Sequence, residues 1–117
     1  MEQDEFVVST SPLGSVVVSG DAIAQVVGSA ALESYGVVGL AGGGRLARFL
    51  PWHAQRTIDV RMRDGGLAID LRIVVEHGLR LAEVAATVRS RVEYEVGRMV
   101  GLPIAHLEVH IERVRSG

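Results

Sequence analysis

The pattern with the clearest chemical potential lies near the C-terminus, His106-x-Glu108-x-His110-x-Glu112. On an extended strand, side chains two residues apart share one face and stand roughly 6.5–7 Å from each other. Two imidazoles with a carboxylate between them carry the donor types of a zinc site. Zinc, however, needs tetrahedral convergence at about 2 Å per ligand, and a flat row supplies that only with help from a partner strand. The competing reading is a solvated strand face whose charges pair across the sheet, each pair contributing about 0.2–1 kcal/mol. The residues favour this second reading. No metal and no cofactor is expected, and His106, Glu108 and His110 are the residues that would serve if a metal did bind.

A second pattern is RLARFLPWHAQR, residues 45–56. Phe49 and Trp52 sit there among Arg45, Arg48 and Arg56, with Leu46 and Leu50 between. Aromatic and arginine side chains are enriched at binding hot spots, and basic amphipathic pieces rest on membrane surfaces. Arg45, Arg48, Phe49 and Trp52 are thus the candidate partner-binding residues. The alternative is that Phe49 and Trp52 simply plug one end of the core, and the sequence does not decide between the two.

Other reactive arrangements are missing from the sequence. Gly42-Gly43-Gly44 follows an apolar run, but a phosphate loop needs the GxxxxGK[ST] spacing and its lysine, and this chain has no lysine. The serines fall in tails, caps and helix surfaces, none in a nucleophile elbow. No catalytic residues are assigned and no enzyme activity is expected.

These residues need elements to position them. Leu67, Ile69, Leu71, Ile73 and Val75 alternate with Ala68, Asp70, Arg72, Val74 and Glu76, the period of a strand with one dry face. Beyond Gly78, Leu81, Ala85, Val88, Val92, Val96 and Met99 fall on one side of a helix predicted over 79–100, closed by Gly101 and Pro103. Residues 14–19, GSVVVS, read as a strand. Ser19 then occupies an N-cap position with Asp21 in the first turn, opening a helix that Gly36 ends. Its small residues Ala24, Gly28 and Ala31 allow a close approach to a neighbour. Val37 to Ala41 could add a short strand outside the main order, residues 57–63 form a strand, and Asp64-Gly65-Gly66 the hairpin turn into the long strand. Residues 105–114 make the last strand. Residues 1–13, acidic and then serine-rich with Pro12, read as a flexible lead-in, and 42–56 as a variable loop inside a single domain spanning 14–117.

The order β-α-β-β-α-β predicts an α+β two-layer sandwich on a ferredoxin-like plan, with both helices on one face of a mostly antiparallel sheet. Asp59, Arg61 and Arg63 then lie near Asp70, Arg72 and Glu76 on the opposite, polar face, together with the His/Glu row. RNA modules built on this plan stack bases on exposed strand aromatics. These strands carry none, and the net charge of −2 offers no general attraction to nucleic acid. With 48% hydrophobic and 22% charged residues and no cysteine, the composition is that of an ordinary globular domain without disulfides or thiolate sites. No apolar run is long enough to span a bilayer, and MEQDEF lacks the order of a secretory signal. A cytoplasmic location is the expectation.

Across roughly residues 14–114 the chain resembles the alkaline-shock, or envelope stress response, protein family of Gram-positive bacteria. The stretches that carry the resemblance are GSVVVSGDAIAQVVGSAALESYGVVGL, GLAIDLRIVVEHGLRLAEVAATVRSRVEYEVGRMVGL and LEVHIERV. They include the serine before the first helix, the Gly-Val after it, and the M-x-G-L exit of the second helix. Residues 42–56 depart from the family, so nothing transfers onto Phe49 or Trp52. The resemblance implies a non-enzymatic protein of cell-envelope homeostasis and alkaline or general stress. It further implies a cytoplasmic protein, gathered at the membrane in some members by a membrane-anchored protein partner. Self-association is expected, while nucleic acid and a direct membrane span are not. A small ligand- or metal-binding regulator using the histidine row is the alternative, and a nucleic-acid binder ranks third.

Overall fold

The computed structural model describes residues 5–41 and 57–116. Eight elements follow in order: β1 (Glu5–Ser11), β2 (Gly14–Ser19), α1 (Gly20–Leu32), β3 (Val37–Leu40), β4 (Ile58–Arg63), β5 (Gly66–Glu76), α2 (Leu81–Met99) and β6 (Ile104–Arg115). The arrangement is a two-layer α+β fold whose element order is consistent with a ferredoxin-like plan.

β5 is the central strand. β3 and β4 lie antiparallel along one edge, and β6 runs parallel along the other. Parallel neighbours require a crossover, and α2 provides it. The alternation of β5 works as its sequence dictates: Leu67, Ile69, Leu71, Ile73 and Val75 are all fully buried. They share one cluster with Ile23, Val27 and Ala31 of α1 and Val84, Val88, Val92 and Val96 of α2. The two helices pack on each other, α1 also on β3 and β4, α2 also on β6.

Local chemistry sets the element ends. Ser19 Oγ accepts from the Ala22 amide at 3.0 Å and caps α1. Asp64 and Gly65 both take positive φ, 51° and 81°, between the paired residues Arg63 and Gly66, which is the geometry of a two-residue type I′ hairpin. At the far end of α2, the Val100 and Gly101 amides both return to the Val96 carbonyl, and Gly101 has φ +85°. Gly36 does not stand directly after α1 as expected. The helix stops at Leu32 with Glu33 as its C-cap, and Gly36, at φ +93°, turns the chain into β3.

Three further expectations are corrected. Residues 5–11, read as part of a flexible lead-in, form β1, and Phe6 is buried in the core. β2, expected in the main sheet, pairs instead with β1 in a separate two-stranded sheet closed by the turn at Pro12-Leu13. The buried stripe of α2 runs through Val84, Val88, Val92 and Val96, whereas Leu81 and Met99 are exposed. The four valines form one row at i, i+4 spacing along α2 and join the cluster of α1 and β5 side chains. Truncating Val92 to alanine should therefore cost about 2 kcal/mol, and Met99→Ala less than about 0.5 kcal/mol. Urea unfolding of the two variants checks this difference.

Candidate functional site

The polar face of the sheet is assembled by register. Asp59 pairs with Asp70 and Arg61 with Ala68 across β4 and β5. Ala68, Asp70 and Arg72 pair with His106, Glu108 and His110 across β5 and β6. Because side chains alternate, these groups all emerge on the side away from the helices. Arg61 hydrogen-bonds Asp59 and lies 3.5 Å from Asp70. The Asp59 bond, reinforced by the charges of Asp59 and Asp70, raises the Arg61 guanidinium above its ordinary value. A base with a raised pKa loses its stabilising contribution only as pH climbs through that range, so Arg61 adds no pH dependence near neutrality. Arg72 reaches Glu112 at 3.3 Å. Glu108 sits between two imidazoles, 3.6 Å from His106 Nε2 and 3.4 Å from His110 Nε2.

The sequence row His106, Glu108, His110 is thus brought together, and a further donor joins it. Asp70, His106 and Glu108 each offer a ligand atom within 4.8 Å of the others. Asp70 was legible as a member of the polar face but not as part of this group. Its contribution depends on β5 lying directly beside β6, and the sequence does not display that adjacency.

The other predicted site residues, Arg45, Arg48, Phe49 and Trp52, lie outside the described residues. Their point of attachment is well defined. The Ala41 amide donates to the Arg72 carbonyl at 2.9 Å, and the Thr57 carbonyl accepts from the Arg72 amide at 3.2 Å. β3 and β4 are therefore two halves of one strand position, interrupted at a single residue of β5, and 42–56 joins the halves. Beside the break lies an open, mainly apolar groove of about 580 Å³, lined by Ala24, Gly28, Leu32 and Leu40 among others. Gly28 permits this packing: a Cβ there would stand 3.3 Å from Ile58 Cδ1 and 3.4 Å from Leu40 Cδ1.

The hydroxyls of Ser11, Ser19 and Ser34 bond backbone groups at a turn and at the ends of α1, and that of Thr87 donates to the Glu83 carbonyl within α2. Among the described residues, no buried side-chain polar atom lacks a partner. No described helix is long and apolar enough to cross a membrane. The class so defined is a small α+β domain that buries one face of its sheet under two helices and presents the other as a charged surface.

The chain belongs to the alkaline-shock protein 23 family, described as having a cell-envelope-related function, which it matches over residues 8–116. It is 31% identical to YloU of Bacillus subtilis (strain 168) over 107 residues, covering 87% of this chain and 89% of that protein. It is 30% identical to YqhY of the same organism over 102 residues, with coverage of 85% and 76%. Spy1614 of Streptococcus pyogenes serotype M6 is 26% identical over 107 residues, with coverage of 87% and 88%. Among solved structures, MamM CTD aligns with a TM-score of 0.55 at 18% identity, covering 80% of this chain and 98% of that one. At that identity the likeness concerns the fold alone.

Proposed function

We propose that this protein is a non-enzymatic interaction module of cell-envelope homeostasis and stress response. In this reading it works in the cytoplasm, associates with itself, and is held at the inner side of the membrane by an anchored protein partner. The observation that carries the reading is membership, over nearly the whole chain, of a family with a cell-envelope-related function. Supporting it, Ser11 serves a turn, Ser19 caps α1 and Glu112 pairs with Arg72 on the sheet surface. Arg45, Arg48, Phe49 and Trp52 are the proposed contact residues, on a segment attached where the edge strand breaks at Arg72.

The test is sedimentation with membrane vesicles from a Gram-positive host. The chain should bind native vesicles, lose at least about tenfold of that binding after protease stripping, and ignore protein-free liposomes of the same lipids. Phe49→Ala combined with Trp52→Ala should weaken binding to native vesicles by at least about tenfold, a loss of the size expected for aromatic hot-spot residues, without altering the unfolding midpoint. A chain that stays monomeric and sediments with neither kind of vesicle would overturn the reading.

A further inference from the structure

The open face carries a group of donors that goes beyond an interaction module. We propose that Asp70, His106 and Glu108 form a divalent transition-metal site, with zinc the best-suited ion. Two adjacent parallel strands build it. Glu108 stands at the register position of Asp70 on the neighbouring strand, and His106 precedes it on the same face. The three ligand atoms lie within 4.8 Å of one another. A tetrahedral ion with bonds of about 2.0–2.1 Å holds its ligand atoms roughly 3.4 Å apart. The His106 Nε2 to Glu108 Oε2 separation of 3.6 Å is already close to that edge. A rotamer adjustment of the half-buried Asp70 carboxylate brings in the third ligand, its side chain being 26% exposed.

The donor set also narrows the ion. One imidazole nitrogen and two carboxylate oxygens suit zinc, nickel or manganese, while the chain offers no thiolate for a softer metal. Three protein ligands leave a fourth position open to water or to a group from a partner. His110, 3.4 Å from Glu108 Oε1, orients the Glu108 carboxylate from its other side, as outer-shell partners of metal ligands do. Ala68, opposite His106, places no bulk beside the imidazole. Arg61 opposes binding, since it lies 3.5 Å from Asp70. Its principal bond is to Asp59, and that bond keeps the guanidinium satisfied when Asp70 turns to the metal.

Titration of the metal-stripped full chain with zinc chloride in a calorimeter tests the site. One zinc per chain should bind, at least about tenfold more weakly in Asp70→Asn and in His106→Ala, as expected for loss of one of three ligands. The chain's two remaining histidines outside the row, His53 and His77, provide the control, and the double variant His53→Ala with His77→Ala should bind as the parent does. Asp70 and His106 stand on the open face of the sheet, so the metal-free unfolding midpoints of their variants should match the parent's, which separates loss of ligation from loss of fold. Zinc binding unchanged by Asp70→Asn and His106→Ala, no binding by the parent chain, or binding abolished by the control double variant would each overturn the proposal. These outcomes leave the vesicle experiment unaffected, so the two readings stand or fall separately.

Discussion

Phe6→Ala should destabilise the domain by about 3–5 kcal/mol, the range for removing a buried aromatic ring. Against a typical total stability of about 5–15 kcal/mol, that is the largest single-residue loss expected here. Phe6 is only 2% exposed and belongs to the same buried cluster as Ile23, Ile69 and Val100. Its neighbour Val7 points the other way and is 57% exposed. The pleat thus predicts a sharp contrast, with Val7→Ala costing under about 0.5 kcal/mol. Urea unfolding of both variants in the full chain reads the difference. A Phe6→Ala cost as small as that of Val7→Ala would mean that the β1–β2 hairpin does not close the core.

The second large effect is expected at Gly36, where two penalties coincide. Its φ of +93° disfavours any residue with a Cβ, at a cost of about 1–2 kcal/mol. A Cβ there would also stand 2.8 Å from Leu79 Cδ1 and 3.0 Å from Val84 Cγ2, and overpacking of this kind adds about 1–3 kcal/mol. Leu79 can swing its terminal methyl, but Val84 is fixed on the buried face of α2, so the clash is only partly relieved. Gly36→Ala should therefore cost about 2–5 kcal/mol, the two penalties together. Gly78 separates the two contributions, since it has φ +98° and no atom within 4 Å of where a Cβ would stand. Gly78→Ala should cost the strain alone, about 1–2 kcal/mol. Thermal unfolding of both variants is the measurement, and equal losses would show that the contact with Val84 is not tight.

Much of the polar face was readable because its signals are local. Alternation over residues 67–76 and over 106–112 assigns each side chain to one face without reference to anything distant, and the Asp-Gly turn sets the β4–β5 register. The helical stripe was less well read. Leu81 and Met99 fit the 3.6-residue period, yet they lie at the ends of α2 and are exposed. Periodicity gives the direction of a side chain and not the extent of what covers it.

β1 was missed because Glu5–Ser11 is bounded by acidic and serine residues and buries only one large apolar side chain in the core. The signal available was the Pro12-Leu13-Gly14 turn between two β-branched runs. Its consequence, that β2 pairs backward onto β1 and leaves the main sheet, was not legible. Strand pairing between non-local partners is a competition among edges, and a single strand's sequence does not name the winner.

By itself, the sequence determined the elements after residue 14, the α+β class with both helices on one side, the charged character of the opposite face, and the family resemblance. The elements and their faces follow from periodicity, caps and turns, which act over a few residues. Tertiary structure alone decided that β5 and β6 lie side by side, that Asp70 therefore meets His106 and Glu108, and that β3 and β4 share one edge broken at Arg72. Such juxtapositions depend on which edges pair and in what register, and that choice is made by burying the apolar faces of the whole chain at once.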